Sequence, residues 1–253
     1  MDKRLTFNED EKNYDKLRPT YCKELFDAIT DYSKLDATKK AVEIGIGTGQ
    51  ATTPILETGC LVTAIELGDR LANYSKNKFS SYDNFEVQNV SFEDYRYTPN
   101  SIDLIYSGTA FHWIPEEIGY PKVFDMLRSG GTLALFWNRP SGRENSAHKE
   151  LQCIYSKYMP TENLVKDHQE KYNLVMESIR KYGFIDLEFK LMHQTRSFNA
   201  EDYISLLNTY SDHRMLPDDI KEVFYDEIKA VINKHGGDFI LTDTIDLYLA
   251  KKS

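Results

Sequence analysis

The stretch VEIGIGTGQAT, residues 42–52, places three glycines at alternate positions directly after an apolar run. The run is typical of a buried β-strand, and the residues after it are typical of the first turn of a helix. Gly45, Gly47 and Gly49 have no side chains, so a nucleotide-like ligand can lie against the backbone between strand and helix. The motif therefore predicts an α/β fold with a ligand site at the end of its first strand.

The residues after these glycines narrow the class of ligand. Gln50 and Thr52 stand where the two possible frames of the dinucleotide pattern GxGxxG need a third glycine. No Gly-Lys-Ser/Thr follows, so the stretch is not a P-loop. Glu66 ends the next apolar run, where a carboxylate can accept both hydroxyls of an unphosphorylated ribose. We therefore predict an adenosine-type ligand without pyrophosphate.

Strand-like and helix-like segments alternate through the first 140 residues, which is typical of a parallel sheet covered by helices on both faces. The strand-like runs are residues 40–45, 61–67, 84–89, 101–107 and 131–137. Two further runs, 184–198 and 237–252, flank two predicted helices joined at Pro217. This order predicts one doubly wound α/β domain that carries helical insertions.

Composition limits the partners that this chain can have. The 253 residues are 41% hydrophobic, which is enough for a core without disulfides. A net charge of −9, with Lys and Arg interleaved with Asp and Glu, argues against a nucleic-acid surface. The three cysteines form no CxxC pair and no zinc spacing, and no apolar run reaches membrane length. We expect a cytoplasmic protein with a small-molecule partner, no nucleic acid, no membrane and no metal.

The glycine loop resembles the first motif, E/D-x-G-x-G-x-G, of the class I S-adenosylmethionine-dependent methyltransferases. The match is complete at Glu43, Gly45, Gly47 and Gly49. Glu66, with Leu67 beside it, takes the place of the family's ribose-binding acid, and the resemblance covers nearly the whole chain. It implies a Rossmann-like, seven-stranded, mostly parallel sheet with an antiparallel last strand, and S-adenosyl-L-methionine as cofactor.

The resemblance also implies contacts to the rest of the cofactor. Ser91 stands where the family commonly has an Asp that binds the adenine amino group, and its hydroxyl can bind an amine only without charge assistance. Phe92 would offer its backbone N–H or a ring contact. Ser107, at the end of the fourth strand, would lie beside the cofactor.

More narrowly, the chain resembles the methyltransferase type 11 and trans-aconitate methyltransferase-like branch. The resemblance is carried by AFHW at 110–113, by NYDKLRPTY with Tyr14 and Arg18, and by TYSDHRMLP with Tyr210, His213 and Arg214. It implies that Tyr14 and Arg18 close over the cofactor and that the last three residues bind substrate. Within a single domain, 1–253, we assign residues 1–35 to an amino-terminal cap and 36–140 to the cofactor-binding core. Residues 141–182 and 199–236 are then helical insertions that form a substrate lid.

His112 and Trp113 follow the fourth strand, at the sheet edge where open α/β sheets bind ligands. The ring of Trp113 can attract the sulfonium of the cofactor or pack under the loop. His112 can act as a general base if the acceptor is a phenol or alcohol, or orient a carboxylate that is already ionised. A structural role, in which His112 only holds the loop, is a third reading of the same residue.

Together these features predict a methyltransferase that acts on a small-molecule acceptor at a carboxylate or hydroxyl oxygen. Catalysis would be mainly the alignment of an in-line transfer. We expect a monomer or a weak homodimer. The alternatives are an NAD-dependent oxidoreductase and a non-catalytic S-adenosylmethionine-binding protein.

Overall fold

The computed structural model describes residues 15–253 apart from 17, 142–145 and 160–167. Tyr14, one of the predicted cofactor residues, lies outside the described residues.

Within this part of the chain, seven strands form one sheet in the order β3-β2-β1-β4-β5-β7-β6. They are β1 Lys40–Ile44, β2 Leu61–Glu66, β3 Phe85–Asn89, β4 Ile102–Gly108, β5 Leu127–Ser141, β6 Phe184–Asn199 and β7 Asp238–Lys252. The pairs among β1 to β5 are parallel, whereas β7 runs antiparallel to both of its neighbours, β5 and β6. The predicted mostly parallel sheet with an antiparallel last strand is confirmed.

Helices connect the strands and cover both faces of the sheet. They are α1 Lys23–Ser33, α2 Thr52–Leu56, α3 Asp69–Lys78, α4 Glu116–Met126, α5 Ser146–Tyr158, α6 His168–Lys181, α7 Ala200–Leu207, α8 Ser211–Arg214 and α9 Asp218–Lys234. Successive strand residues enter opposite cores because side chains alternate along a strand. On β4, Leu104 and Tyr106 join one core with α1 and α2, while Ile105 joins the other with α4 and α6.

β5 is longer than the predicted run of residues 131–137, because it pairs with β7 from Thr132 to Ser141. This pairing extends the sheet beyond the end of β4. Helices α5, α7 and α9 pack on the extended part around Leu206, Phe224 and Phe239. Residues 141–182 were predicted as one insertion, but the two helices in this segment pack in different places. Helix α5 packs on the extended part of the sheet, whereas α6 packs in the core that contains Ile105 and α4.

Among the described helices, none has both the length and the apolar composition required to cross a lipid bilayer.

Candidate active site

A cavity of about 460 Å³ lies at the carboxyl ends of the parallel strands. Its walls are the glycine loop after β1, the end of β2, the loop after β4, the extended part of β5 and β7, and the segment between α7 and α8. The predicted site residues that line it are Arg18, Glu43, Gly45, Gly47, Glu66, Leu67, Phe92, His112, Trp113 and Tyr210. The fold therefore brings the predicted cofactor and acceptor residues together around one cavity.

Three predicted cofactor residues do not line the cavity. Gly49 has a φ of +82°, and a Cβ there would overlap the ring of Phe79. Ser107 is buried, and its Oγ donates a hydrogen bond to the carbonyl of Ile44, 2.9 Å away. Ser91 donates through its hydroxyl to Asp94. Their observed contacts are with the protein itself.

Two of the predicted substrate residues, His213 and Arg214, also lie away from the cavity lining. His213 is 4% exposed, with its Nδ1 3.0 Å from Asp212 Oδ1 and its Nε2 3.1 Å from the hydroxyl of Tyr155. The short helix α8 places the His213 ring against Tyr155 of α5 and Phe224 of α9, and it leaves Asp212 in the cavity wall. Which side of a one-turn helix faces the cavity is set by packing, and the sequence carries no signal for it.

Glu66 is held at the end of β2 by backbone donors. Its Oε2 accepts the N–H of Gly47 and its Oε1 accepts the N–H of Gly68, both at 2.9 Å. Each carboxylate oxygen has a further lone-pair site, so both can still accept a ribose hydroxyl. Burial raises the pKa of Glu66, while the backbone N–H groups act against that rise. This arrangement fits the ribose-binding role implied by the resemblance.

Gly45 brings two loops into contact. Its φ is +71°, and a Cβ at this position would come within 2.5 Å of the Cβ of Ala110. A side chain would therefore separate the glycine loop from the loop that carries His112. The glycine keeps the two sides of the cavity together.

Glu43 lies beneath the glycine loop and is almost fully buried. Thr52 Oγ1 at 2.7 Å and the hydroxyl of Tyr106 at 2.8 Å both donate to its Oε2. Burial raises the pKa of Glu43 to about 7, although these two hydrogen bonds act in the opposite direction. The carboxyl is therefore partly protonated near neutral pH in the absence of ligand.

Glu43→Gln is expected to raise the free energy of unfolding by about 1–3 kcal/mol at about pH 8. The pKa rises from 4.5 to about 7 on folding, so between these values the folded protein binds a proton that the unfolded chain does not. The wild type therefore loses stability as pH increases through this window. Glutamine stays neutral, and one amide oxygen can accept both hydroxyls. Thermal unfolding at several pH values checks this, and a difference that does not shrink toward about pH 5 would contradict it.

The imidazole of His112 has a defined proton position. Trp137 Nε1 lies 3.0 Å from His112 Nδ1, and an indole N–H can only donate. Nδ1 is therefore the acceptor, and the neutral ring carries its proton on Nε2. Although His112 is exposed at the cavity wall, partial loss of solvent around its ring and then the charge of Arg139 lower its pKa to about 4. Near neutral pH His112 is an uncharged N–H donor.

The cavity is also lined by polar residues that were not among the predicted site residues, and Thr109, Asn138 and Asp243 are among them. Thr109 has a φ of +56°, which is unusual for a β-branched residue. Its Oγ1 lies 3.0 Å from the hydroxyl of Tyr21 and accepts the backbone N–H of Asn138 at 3.2 Å. These positions depend on how β4, β5 and the amino-terminal segment meet, which local sequence does not specify.

Asp243 and Asn138 differ in whether their polar side-chain atoms have hydrogen-bond partners. Asp243 is fully buried and forms a two-point ion pair with Arg196, at 2.5 and 3.0 Å. The side-chain amide of Asn138 is buried, and neither its nitrogen nor its oxygen has a hydrogen-bond partner among the described residues. An unpaired buried amide costs free energy that a ligand hydrogen bond can recover. Asn138 is thus a candidate ligand contact that the sequence did not single out.

Arg18 joins the amino-terminal segment to the segment that was predicted to form a lid. Its Nη2 donates to the carbonyl of Thr209 at 2.6 Å, and its guanidinium carbon lies 4.6 Å from the ring centre of Tyr210. Arg18 and Tyr210 both line the cavity. The two segments predicted to cover the site therefore contact each other across it.

Comparisons with known proteins agree with this fold. The family model described as Methyltransferase domain matches residues 42–135, from the first strand to the fifth. An uncharacterized methyltransferase of Schizosaccharomyces pombe is 26% identical over 233 residues, covering 90% of this chain and 87% of the relative. A trans-aconitate 2-methyltransferase of Deinococcus radiodurans is 25% identical over 122 residues, covering 47% of this chain and 45% of the relative.

A solved structure of a Haemonchus contortus phosphoethanolamine N-methyltransferase, in complex with phosphomonomethylethanolamine and S-adenosylhomocysteine, is also similar. It superposes with a TM-score of 0.57 at 14% identity, covering 97% of this chain and 57% of that chain. At this identity the similarity is one of fold.

With this sheet order, this glycine loop and these matches, the protein is an S-adenosylmethionine-dependent methyltransferase, and its fold is similar to that of the class I enzymes. Its cofactor is S-adenosylmethionine, as the resemblance implied. The NAD-dependent oxidoreductase, the first alternative, has no support from the matched family or relatives.

Proposed function

We propose that this enzyme methylates a carboxylate oxygen of a small molecule. The observation that carries the proposal is the hydrogen bond from Trp137 to His112 Nδ1. It makes His112 an N–H donor at the cavity wall, and a donor suits an acceptor that needs no base. A carboxylate with a pKa near ~4 is already ionised at neutral pH, whereas a phenol or alcohol must lose a proton.

The size and closure of the cavity support a small acceptor. A volume of about 460 Å³ lies within the range of small-molecule sites, and it must hold cofactor and acceptor together. Arg18 and Thr209 meet across it. A large polymer would have to part these segments before it reached the sheet edge, whereas a metabolite can fit beneath them.

The charges along the cavity wall support an acidic acceptor. Asp243 is balanced by its ion pair with Arg196, and Asp212 accepts hydrogen bonds from the backbone N–H of His213 and its ring. Arg18 brings a positive charge to the wall. A carboxylate beside Arg18 and His112 would therefore meet one guanidinium and one N–H donor.

The residues then have separate tasks. Bound S-adenosylmethionine supplies a methyl group on a positively charged sulfur. Glu66 holds the ribose, His112 Nε2–H holds one carboxylate oxygen, and the Trp113 ring excludes water from the wall. The other oxygen forms the new O–C bond while the electron pair of the breaking S–C bond goes to sulfur. Because anion and cation give a neutral ester and a neutral thioether, no proton has to move.

The proposal is tested by incubating the full chain with methyl-labelled S-adenosylmethionine and a panel of acceptors. The panel contains mono-, di- and tricarboxylic acids together with alcohols, phenols and amines matched to them in carbon skeleton. We expect S-adenosylhomocysteine to form with acids, and the labelled product to release methanol in mild alkali, as a methyl ester does. A product whose label survives alkali, as in an ether or a methylamine, would contradict the proposal.

A parallel titration separates the two alternatives. Calorimetry with S-adenosylmethionine and with NAD should give binding only for the former. Binding without turnover of any acid in the panel would favour the non-catalytic S-adenosylmethionine-binding protein.

A further inference from the structure

We propose that Trp137 determines which acceptors this enzyme can use, by keeping His112 an N–H donor and preventing it from acting as a general base. The inference rests on the proposed function, because it concerns the residue that would hold the acceptor. Trp137 does not line the cavity, so it is a positioning residue that acts through His112.

The geometry places Trp137 behind the cavity wall. Trp137 lies on β5 and is 7% exposed, while His112 lies on the short 3₁₀ helix, Phe111–Trp113, that follows β4. The indole ring packs edge-on against Tyr248 of β7, with ring centres 5.8 Å apart and an interplanar angle of 78°. This packing fixes the direction of the indole N–H toward His112 Nδ1, 3.0 Å away.

Base catalysis by His112 would require the opposite tautomer. To take a proton at Nε2, the ring must first carry its own proton on Nδ1. That proton would then face the Trp137 N–H across 3.0 Å, with no acceptor between two donors. The hydrogen bond would be lost and a buried donor would be left unsatisfied, which is more costly than the loss of the bond alone.

Charged neighbours also oppose the imidazolium form. Arg139, two residues after Trp137 on β5, carries a positive charge toward His112, and its guanidinium is held by Asp246 of β7 at 2.9 Å from Nε to Oδ1. The hydroxyl of Tyr248 donates to the same carboxylate. The Asp246 charge is thus directed to Arg139 and Tyr248, and His112 stays a neutral donor. An alcohol or phenol in this position would find no base, whereas a carboxylate needs none.

The decisive variant is Trp137→Phe, which keeps an aromatic ring on β5 and removes the indole N–H. In the wild type labelled with ¹⁵N-histidine, we expect His112 to show one protonated nitrogen, Nε2, and one unprotonated nitrogen, Nδ1. In Trp137→Phe the two nitrogen signals should move toward each other as both tautomers become populated. Trp113→Phe makes the same change in the indole adjacent to His112, and it should keep the wild-type nitrogen pattern. His112→Gln assigns the signals.

Activity provides the second readout, with an acid that the wild type methylates and the alcohol of the same carbon skeleton. In Trp137→Phe we expect kcat/KM for the acid to fall, and the preference for acid over alcohol to drop by about tenfold or more. The burial and the Arg139 charge that lower the pKa of His112 to about 4 remain in this variant, so its rate with the alcohol should stay the same from about pH 6 to about pH 8. The affinity for S-adenosylmethionine should not change.

The two proposals fail in different ways. If no acid is methylated but the nitrogen pattern is as expected, the proposed function is wrong while the tautomer assignment holds. A wild-type spectrum with the proton on Nδ1, or a Trp137→Phe spectrum identical to the wild type, would overturn the inference about Trp137. If Trp137→Phe does not fold, Trp137→Leu removes the same N–H, and the wild-type spectrum alone still decides the tautomer.

Discussion

Glu66→Ala is expected to weaken S-adenosylmethionine binding by about 1–3 kcal/mol, or roughly 5- to 150-fold in Kd. The variant removes the carboxylate that lines the cavity at the end of β2, and with it the acceptor for the Gly47 N–H. It therefore deletes the ribose contact and also loosens the loop against which the cofactor would lie. Titration calorimetry with S-adenosylmethionine measures the effect.

The matched control is Glu66→Gln, which keeps the shape and one oxygen acceptor but removes the charge. We expect its affinity to lie between those of the wild type and the alanine variant. Thermal unfolding without cofactor separates the effect on the loop from the effect on the ligand contact. An alanine variant that binds with wild-type affinity would show that the ribose is held elsewhere.

His112→Leu is expected to lower kcat/KM for an acid acceptor by roughly 10- to 150-fold while cofactor affinity stays the same. The lost group is an N–H donor to a charged oxygen, and such hydrogen bonds are stronger than those between neutral groups. His112→Gln retains an N–H donor and should lose less activity. Steady-state kinetics with the acid identified in the acceptor panel measures both variants.

The pH profile distinguishes orientation from base catalysis. Because the pKa of His112 is lowered to about 4, the wild-type ring is neutral throughout the neutral range, and we expect a flat profile from about pH 6 to about pH 8. If His112 were a base, activity would fall as its Nε2 became protonated, and glutamine would be as poor a replacement as leucine. Equal losses in the two variants would therefore contradict the donor role.

The fold could be predicted from the sequence because its signals are local and repeated. Runs such as 40–45 and 61–67 are apolar, short and separated by helix-like stretches, and the observed strands Lys40–Ile44 and Leu61–Glu66 agree within one residue. β5 was predicted too short, since its last residues are polar. They form a strand only because β7 supplies hydrogen-bond partners as far as Thr242.

The candidate site also has a part that the sequence predicted and a part that it did not. Glu43, Gly45, Gly47 and Glu66 line the cavity as the motif predicted, because a glycine loop after a strand has few alternative geometries. The predicted lid segment was only partly right about the cavity lining. Tyr210 lines the cavity, whereas His213 is buried among helices. The roles of individual site residues are still predictions, which the variants above test.

The stretch AFHW, residues 110–113, shows most clearly what the sequence determines and what the tertiary structure decides. The sequence by itself determined that His112 follows a buried strand at the ligand-binding edge of a parallel sheet, because strand and turn signals are local. Only the tertiary structure decided which nitrogen of His112 carries the proton. That depends on Trp137, 25 residues away on the neighbouring strand, whose indole N–H reaches Nδ1 only when β4 and β5 lie side by side.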